Sequence, residues 1–433
     1  MKIEKIRIKN FRCFDDIEVD FDPHLNVFVG VNGSGKTAIL AALRVSIGSF
    51  FLGSSQQKEK QIGIGDNDVR VVNFESNFES KLPSEIITTG IVNGKQGRWS
   101  RERPKQTAYS KTHHKNAQFI KKEAKNLEDL VVKNGNGVQL PIIAFYATER
   151  LKVESKASES IEILGSRLRG YFNALQFSSN RKVFEEWFKK QEIARIQNIQ
   201  RRENKNFDPL ELVRNCLIQC IPNCKDIYAD FSTDKITMTF EDGSRQPFDN
   251  LSDGVLIMLT VVSDIAYRCI VLNPAMSLEA NHTEGVVLID EIELHLHPSW
   301  QRHAVSDLRK IFPNIQFFIT THSPQVVSAV PRDSLYILKD GVLNQQKIKT
   351  IEKGFAYSEG RDSNALLVDI FGIEERPEEY TIELKKFYQL LEEENLTEAQ
   401  FIFDNLREKW GSMDSEVVKA NMYLEDLKRE LAA

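Results

Sequence analysis

Apolar and polar residues alternate along the start of the chain, which indicates strands with one solvent-exposed face. Residues 6–9 are Ile-Arg-Ile-Lys, and across residues 17–21 the apolar side chains are separated by acidic ones. A period of two is typical of a half-buried strand. The segment 25–29, Leu-Asn-Val-Phe-Val, is almost continuously apolar, so we predict a buried strand there.

Similar patterns predict strands and helices over the rest of the chain. We expect strands at 69–74, 85–92, 285–289 and 315–320, a central strand within 140–150, a hairpin at 227–231 and 236–240, and helices within 159–206 and at 299–311. The predicted fold is therefore α/β.

The buried strand at 25–29 leads directly into a glycine-rich loop, and an apolar helical segment follows. The loop is Gly30-Val31-Asn32-Gly33-Ser34-Gly35-Lys36-Thr37 and matches G-x-x-x-x-G-K-[ST]. The backbone N–H groups of such a loop cradle phosphates at a helix N-terminus. Lys36 is placed for the β and γ oxygens, and Thr37 for a metal ion. The sequence predicts ATP and Mg²⁺ as ligands.

Three later segments carry polar groups at the starts or ends of apolar elements. Leu-Ser-Asp-Gly at 251–254, with Ser252 and Gly254, precedes an apolar helix. The apolar strand 285–289 ends in Asp290 and Glu291, and the strand 315–320 is soon followed by His322. An aspartate at such a strand end can hold Mg²⁺, and the adjoining glutamate can polarise the attacking water.

Composition and cysteine usage suggest where the protein works. Its 433 residues are 41% apolar with a net charge of −5, and five cysteines accompany a strand-like N-terminus without a targeting pattern. No apolar run approaches the length of a membrane span, so we predict a soluble cytoplasmic protein.

The spacing of Cys216, Cys220 and Cys224 allows either a metal site or one face of a helix, and we favour the helix. His295 and His297 could suggest zinc, but we predict none.

Local charge is uneven. Residues 95–125 contain ten Lys or Arg against two Glu, and basic pairs recur within 181–205. These regions fit either a DNA- or RNA-facing surface or, for 95–125, a solvated loop. Residues 373–433 carry sixteen acidic and eight basic residues, and their apolar positions predict two or three helices. That acidic tail either docks a partner or caps the rest of the fold.

Together these motifs resemble the ABC-type ATPase heads of the RecF, SMC and OLD group, over residues 1 to about 50 and 245 to about 345. The resemblance implies an N-terminal antiparallel β-subdomain, a mixed or parallel central sheet, a helical insertion and a C-terminal helical extension. It places Asn10 and Arg12 near the nucleotide and makes residues 32–37 the Walker A loop. Its remaining assignments are Asp290 as the Walker B aspartate, Glu291 as catalytic base, His322 as switch histidine, and Ser252 and Gly254 as signature residues acting on the ATP of an opposite subunit. A sensing glutamine is also implied, but Gln139, the nearest candidate, precedes its strand and is left unassigned.

The layout most resembles the PtuA family of ATPase subunits from Septu-type anti-phage systems, including retron-associated ones. Besides the head motifs, the segment 140–150 and residues 360–377 carry this likeness. The family implies a separate HNH nuclease partner, PtuB, and assembly into homodimers or larger homo-oligomers. The Toprim D-x-D motif of OLD nucleases is absent, so no intrinsic nuclease is expected. A RecF-like DNA-repair ATPase and a nucleotide-gated scaffold remain alternatives. The expected parts are 1–150 and 226–372 for the head, 151–225 for the insertion and 373–433 for the tail.

Overall fold

The computed structural model describes residues 1–432 except 55–61, 75–76, 106–111, 114, 149–166, 177–180, 202–207, 344–345, 355–356 and 374–375. The chain divides into a large unit, Met1–Leu366, and a C-terminal unit, Leu367–Ala433. The strands are β1 Lys2–Phe11, β2 Phe14–Asp20, β3 Leu25–Val29, β4 Val71–Phe74, β5 Asn77–Ser80, β6 Ser84–Val92, β7 Lys95–Arg103, β8 Ile142–Tyr146, β9 Cys224–Asp230, β10 Lys235–Phe240, β11 Arg245–Pro247, β12 Gly285–Ile289, β13 Ile315–Thr321, β14 Leu335–Leu343 and β15 Gln346–Lys353.

The α-helices are α1 Lys36–Gly48, α2 Gln118–Asn134, α3 Arg181–Arg201, α4 Pro209–Ile218, α5 Asp253–Leu272, α6 Pro298–Ile311, α7 Pro324–Val327, α8 Ser363–Phe371, α9 Glu378–Glu392, α10 Leu396–Trp410 and α11 Ser415–Ala432. Short 3-10 helices lie at Ser49–Gly53, Asp66–Asp68, Lys115–Ala117, Gly135–Gly137, Arg167–Tyr171, Phe248–Asn250, Pro274–His282 and Arg332–Ser334.

A six-stranded mixed sheet forms the centre of the large unit, in the order β15-β14-β3-β13-β12-β8. The five strands from β14 to β8 are parallel, and β15 pairs antiparallel with β14. Every residue of β3, β8, β12 and β13 is buried, as expected for parallel strands covered on both faces. The carboxyl ends of these strands meet at one edge, which we call the nucleotide edge.

The strand within 140–150 was predicted to be central, and this is wrong. It forms β8, which pairs only with β12 and ends the order of the described sheet. Its continuous apolar pattern reflects burial on both faces, and burial does not report position within a sheet.

The predicted N-terminal antiparallel subdomain is confirmed as a sheet of order β2-β1-β6-β7. The alternation seen in the sequence holds there: Ile6 and Ile8 are fully buried, while Arg7 and Lys9 are partly exposed. The predicted hairpin is also confirmed, because β9 and β10 pair antiparallel and β11 extends them to three strands.

The solvated-loop interpretation of the basic segment 95–125 is wrong for its first third, whereas the nucleic-acid interpretation stays a prediction. Residues 95–103 form β7, in which Trp99, Arg101 and Arg103 are buried while Lys95 and Arg98 are exposed. The Trp99 ring nitrogen donates to the Ser46 carbonyl, and the Arg103 guanidinium donates to the Ile64 carbonyl. Part of the positive charge of this segment is therefore buried.

Helices account for most of the described part of the predicted insertion. The helical pattern within 159–206 is confirmed for α3, whereas residues 159–166 and 202–206 lie outside the described residues. Cys216 lies in α4 and Cys220 just beyond it, but Cys224 begins β9. The three cysteines are buried and do not form one helical face.

Two helical segments are long and apolar enough to cross a membrane, Lys36–Gly53 and Asp253–Leu272, contrary to the sequence-based expectation. Of their apolar windows, 72% and 94% are buried inside the protein. Both segments are therefore core helices by packing, and solubility and cytoplasmic location stay predictions.

The C-terminal unit contains the predicted helical bundle, built from α9, α10 and α11. Its core consists of Phe387, Leu390, Ala399, Phe403, Leu406, Val417, Ala420 and Leu424. Phe401 is not part of this core: its side chain is 68% exposed, because it lies on the opposite face of α10 from Phe403.

Candidate nucleotide site

The glycine-rich loop joins β3 to α1 at the nucleotide edge, as the sequence predicted. Gly33 and Gly35 have positive φ angles of 77° and 108°, a region that glycine adopts without strain. A Cβ atom at Gly35 would lie 2.8 Å from Cys13 Sγ. Ser34 Oγ is buried and has no hydrogen-bond partner among the described residues. The loop thus has the backbone shape and a free hydroxyl suited to phosphate oxygens.

Lys36 begins α1 and is only 7% exposed. Its ammonium donates hydrogen bonds to the carbonyls of Gly30 (2.7 Å) and Val31 (3.0 Å). Burial lowers the pKa of Lys36, although three carboxylates, those of Glu291, Glu293 and Asp290, oppose this effect. The ammonium therefore sits in a partly desolvated position where a phosphate would compensate its charge.

Thr37 and Asp290 approach each other where α1 and β12 meet this edge. Their Oγ1 and Oδ1 atoms are 3.4 Å apart, and Asp290 is 4% exposed. A hydroxyl and a carboxylate are the oxygen ligands that Mg²⁺ accepts, with water and phosphate completing its shell. The donor set fits the Mg²⁺ predicted from the sequence.

Thr320, which the sequence analysis missed, connects Asp290 to Glu291. Its hydroxyl donates to Asp290 Oδ1 (2.5 Å) and accepts from the backbone N–H of Glu291 (2.8 Å). Glu291 has a positive φ of 46°, which is uncommon for a residue with a side chain and clusters at functional sites. The Thr320 hydroxyl thus helps to hold both carboxylates in place.

His322 lies beside two glutamates. Its Nε2 is 3.6 Å from Glu291 Oε1 and 3.5 Å from Glu293 Oε1. Glu293 Oε1 also accepts the backbone N–H of His322 at 2.6 Å. The structure therefore brings Glu291 and His322 together as predicted, and it adds Glu293, which the sequence analysis had not singled out.

The segment 252–254 begins α5, with Ser252 exposed at the N-cap position. Gly254 is buried, and a Cβ atom there would lie 2.3 Å from the carbonyl oxygen of His295. Only glycine permits this close approach to the chain after Glu291. The predicted role of Ser252 and Gly254 toward a second subunit stays a prediction.

Asn10, Arg12 and Gln139 are the remaining residues considered in the sequence analysis, and they lie at different distances from the glycine-rich loop along the fold. Arg12 pairs with Asp68 at 2.8 Å, and the Asn10 amide donates to the Pro83 carbonyl at 3.0 Å. Cys13, next to Arg12, borders Gly35, but nucleotide contact by Asn10 and Arg12 stays a prediction. Gln139 precedes β8 and so lies toward the opposite end of the sheet from the nucleotide edge.

A buried polar cluster joins α5 to the nucleotide edge. The backbone N–H of Asp290 donates to the Tyr146 carbonyl at 2.8 Å, and the Tyr146 hydroxyl donates to Asp264 Oδ2 at 2.7 Å. Arg268 Nε donates to the same oxygen at 2.7 Å. Each of these side chains is at most 5% exposed.

Comparison with known proteins gives similarity over most of the chain. Residues 5–212 match the family described as AAA domain. The probable ATPase of retron Ec83 from Escherichia coli is 27% identical over 501 aligned residues, covering 98% of this chain and 87% of that protein. The Septu protein PtuA of Bacillus thuringiensis is 24% identical over 403 residues, covering 91% and 90%.

Two further similarities are more local or more distant. The DNA replication and repair protein RecF of Lactococcus lactis subsp. cremoris (strain MG1363) is 51% identical over 43 residues, which cover 10% of this chain and 12% of that protein. The SMC head domain from Thermotoga maritima has a TM-score of 0.43 at 13% identity, covering 82% of this chain and 99% of that one. The predicted resemblance is confirmed: the chain has the α/β fold of an ABC-type P-loop ATPase and is similar along most of its length to retron ATPases and Septu PtuA.

Proposed function

We propose that the protein hydrolyses ATP at a site shared between two copies of the chain. The observation that carries this proposal is the convergence of Lys36, Thr37, Asp290, Glu291 and His322 at one edge of the sheet. The similar retron proteins are named probable ATPases, which supports the same chemistry here.

The chain's own side chains suit phosphoryl transfer to water. Lys36 and the loop N–H groups hold the β- and γ-phosphates, and Thr37 and Asp290 would hold Mg²⁺, which supplies charge neutralisation at the phosphate oxygens. The water oxygen bonds to the γ-phosphorus as the bond to the β–γ bridging oxygen breaks, giving ADP and phosphate. Glu291 orients that water and takes its proton, and His322 reaches the γ-phosphate.

The second half of the site comes from another copy of the chain in this proposal. Ser252 is exposed at the start of α5, where its hydroxyl and the helix N-terminus can meet a γ-phosphate held by an opposite loop. ATP then joins two heads, each built from residues 1–150 and 226–372, and hydrolysis releases them. The result is a homodimer or larger homo-oligomer.

Similarity to Septu PtuA and retron ATPases supports a cytoplasmic role in anti-phage defence, with ATP-dependent dimerisation regulating a PtuB-like HNH nuclease. We expect no nuclease activity from this chain and no membrane association. The acidic tail, 373–433, is the candidate docking site for the nuclease. A chain lacking residues 378–433 that still co-purifies with its partner would rule this out.

A RecF-like role in DNA repair is the second candidate, favoured by the local RecF similarity. It requires DNA or RNA to bind the basic regions 95–125 or 181–205. Burial of Arg101 and Arg103 removes two positive charges from the first of these surfaces. Strong stimulation of ATP turnover by DNA would favour this candidate over the defence role.

The deciding experiment compares ATP turnover and oligomer size, by light scattering, for the wild type and Glu291→Gln. We expect the wild type to turn over ATP and the variant to accumulate as an ATP-bound dimer or larger assembly. Glu279→Gln is the matched control, since Glu279 is exposed and outside the site. A wild type that neither hydrolyses ATP nor changes its association with ATP would contradict the proposal.

A further inference from the structure

Glu293 is a buried carboxylate at the nucleotide edge, and none of the assigned catalytic steps uses it. Its residue exposure is 9%, and it follows Asp290 by three positions. Oε1 is occupied by the backbone N–H of His322. Oε2 is buried with no hydrogen-bond partner among the described residues. Burying a carboxylate this way costs free energy, so its presence needs a compensating role.

Two contacts of the Glu293 carboxylate involve His322, one with its backbone N–H and one with its ring Nε2. The short hydrogen bond to the His322 N–H fixes the main chain just after β13, while the ring nitrogen Nε2 lies at nearly equal distances from Glu293 and Glu291. The pairing of β13 with its neighbouring strands does not by itself fix the position of His322, because β13 ends one residue earlier, at Thr321. Glu293 therefore ties the segment after β13 to the segment after β12.

We propose that Glu293 is the positioning residue of His322: it anchors the His322 backbone so that the ring can swing from the glutamates to the γ-phosphate. This inference rests on the proposed ATPase function. In this proposal Glu291 remains the general base, and Glu293 acts only through His322.

The proposal is tested by comparing Glu293→Gln with Glu293→Ala. Glutamine keeps an oxygen that accepts the His322 N–H, whereas alanine removes it. We expect kcat to fall about 10- to 100-fold in Glu293→Ala with KM for ATP nearly unchanged, and less than about threefold in Glu293→Gln. Equal losses in both variants would mean that the charge itself is needed, and no loss in either would mean that the anchor is dispensable. Either result overturns the proposal.

A double-mutant cycle with His322→Ala separates positioning from other effects. If Glu293 acts through His322, adding Glu293→Ala to His322→Ala causes no further loss of kcat. Additive losses would contradict the proposal. Glu192→Ala is the control for a buried carboxylate elsewhere, since Glu192 is 5% exposed and pairs with Arg214; we expect it to lower stability while leaving kcat per folded molecule unchanged.

Amide hydrogen exchange at His322 tests the anchoring role of Glu293 without depending on ATP turnover. In nucleotide-free protein, the His322 amide should exchange faster in Glu293→Ala and remain protected in Glu293→Gln. If the wild type shows no ATP turnover but this pattern holds, the proposed function fails and the anchor stands. If the amide exchanges equally in all three proteins, the anchor is wrong whatever the turnover.

Discussion

The large unit and the C-terminal unit bury different kinds of side chain. Among the described residues, every buried polar or charged side chain belongs to the large unit, and many of them gather at the nucleotide edge. The core of the C-terminal unit is entirely apolar. Burying polar groups costs stability unless they are satisfied, so we expect those at the nucleotide edge to be kept for chemistry. We therefore expect the C-terminal unit to act through its surface.

The largest expected effect tests the buried cluster on α5. In Asp264→Ala, Arg268 keeps its buried charge without the carboxylate and the Tyr146 hydroxyl loses its acceptor, so we expect a loss of about 3–5 kcal/mol in unfolding free energy. Denaturant titration measures it. Asp16→Ala breaks an exposed pair with Arg7 and should cost under about 1 kcal/mol. Similar losses in the two variants would show that burial is not what distinguishes the cluster.

The next prediction concerns the apolar core of the C-terminal unit. Phe403 is 3% exposed, and Phe403→Ala should destabilise α9–α11 by about 3 kcal/mol through lost burial and a cavity. Hydrogen exchange of these helices reports the loss. ATP turnover per folded molecule should not change, because this core belongs to the C-terminal unit and the candidate site residues all belong to the large unit.

Phe401→Ala is the matched control, and its exposed ring should contribute less than about 0.5 kcal/mol. A fall in turnover for Phe403→Ala alone would mean that the C-terminal unit takes part in the ATPase cycle. The division between a chemical and a surface-acting unit would then be wrong.

A smaller effect is expected at Thr320, within the nucleotide edge. Thr320→Val keeps the shape but leaves the Glu291 N–H without its acceptor and removes the donor to Asp290. We expect kcat to fall about 10- to 100-fold, a loss of about 1.4–2.7 kcal/mol in transition-state stabilisation. Thr320→Ser retains the hydroxyl and should recover most of the activity in steady-state assays. Equal activity of the valine and serine variants would exclude the hydroxyl from positioning the carboxylates.

Thr320 also shows why part of the site escaped sequence analysis. The glycine-rich loop, Asp290 and His322 were predictable because each lies in a contiguous motif next to an apolar strand. Thr320 and Glu293 act only because β12 and β13 are neighbours, with Ile289 paired to Ile319, and one sequence does not reveal strand order. The available signal was the pair of polar residues, Thr320 and Thr321, at the end of a mostly apolar strand. Counting charges likewise missed that Arg101 is buried, since a count does not report burial.

The smallest expected effect concerns a polar group that the C-terminal unit keeps near its surface. The Asp414 carboxylate pairs with Arg376 at 2.8 Å and accepts the backbone N–H groups of Glu416 and Val417 at the start of α11. Partial burial opposes its ionisation, but the hydrogen bonds from Arg376 and from these N–H groups outweigh it and lower the pKa of Asp414 below its ordinary value of 3.8.

Asp414→Ala should therefore cost the C-terminal unit about 1 kcal/mol at neutral pH, the usual contribution of a helix cap. Because the pKa is lowered on folding, the unfolded chain binds the proton more readily, so this stabilisation is present above the unfolded pKa and is lost as pH falls through the folded one. Hydrogen exchange of α11 at neutral pH and near pH 3 should show the variant converging on the wild type in acid. Asp404→Ala, at an exposed position of α10, should show no such convergence. If Asp414→Ala were equally destabilised at both pH values, the ionised carboxylate would not be what caps α11. The contribution of Asp414 to stability would then come from packing.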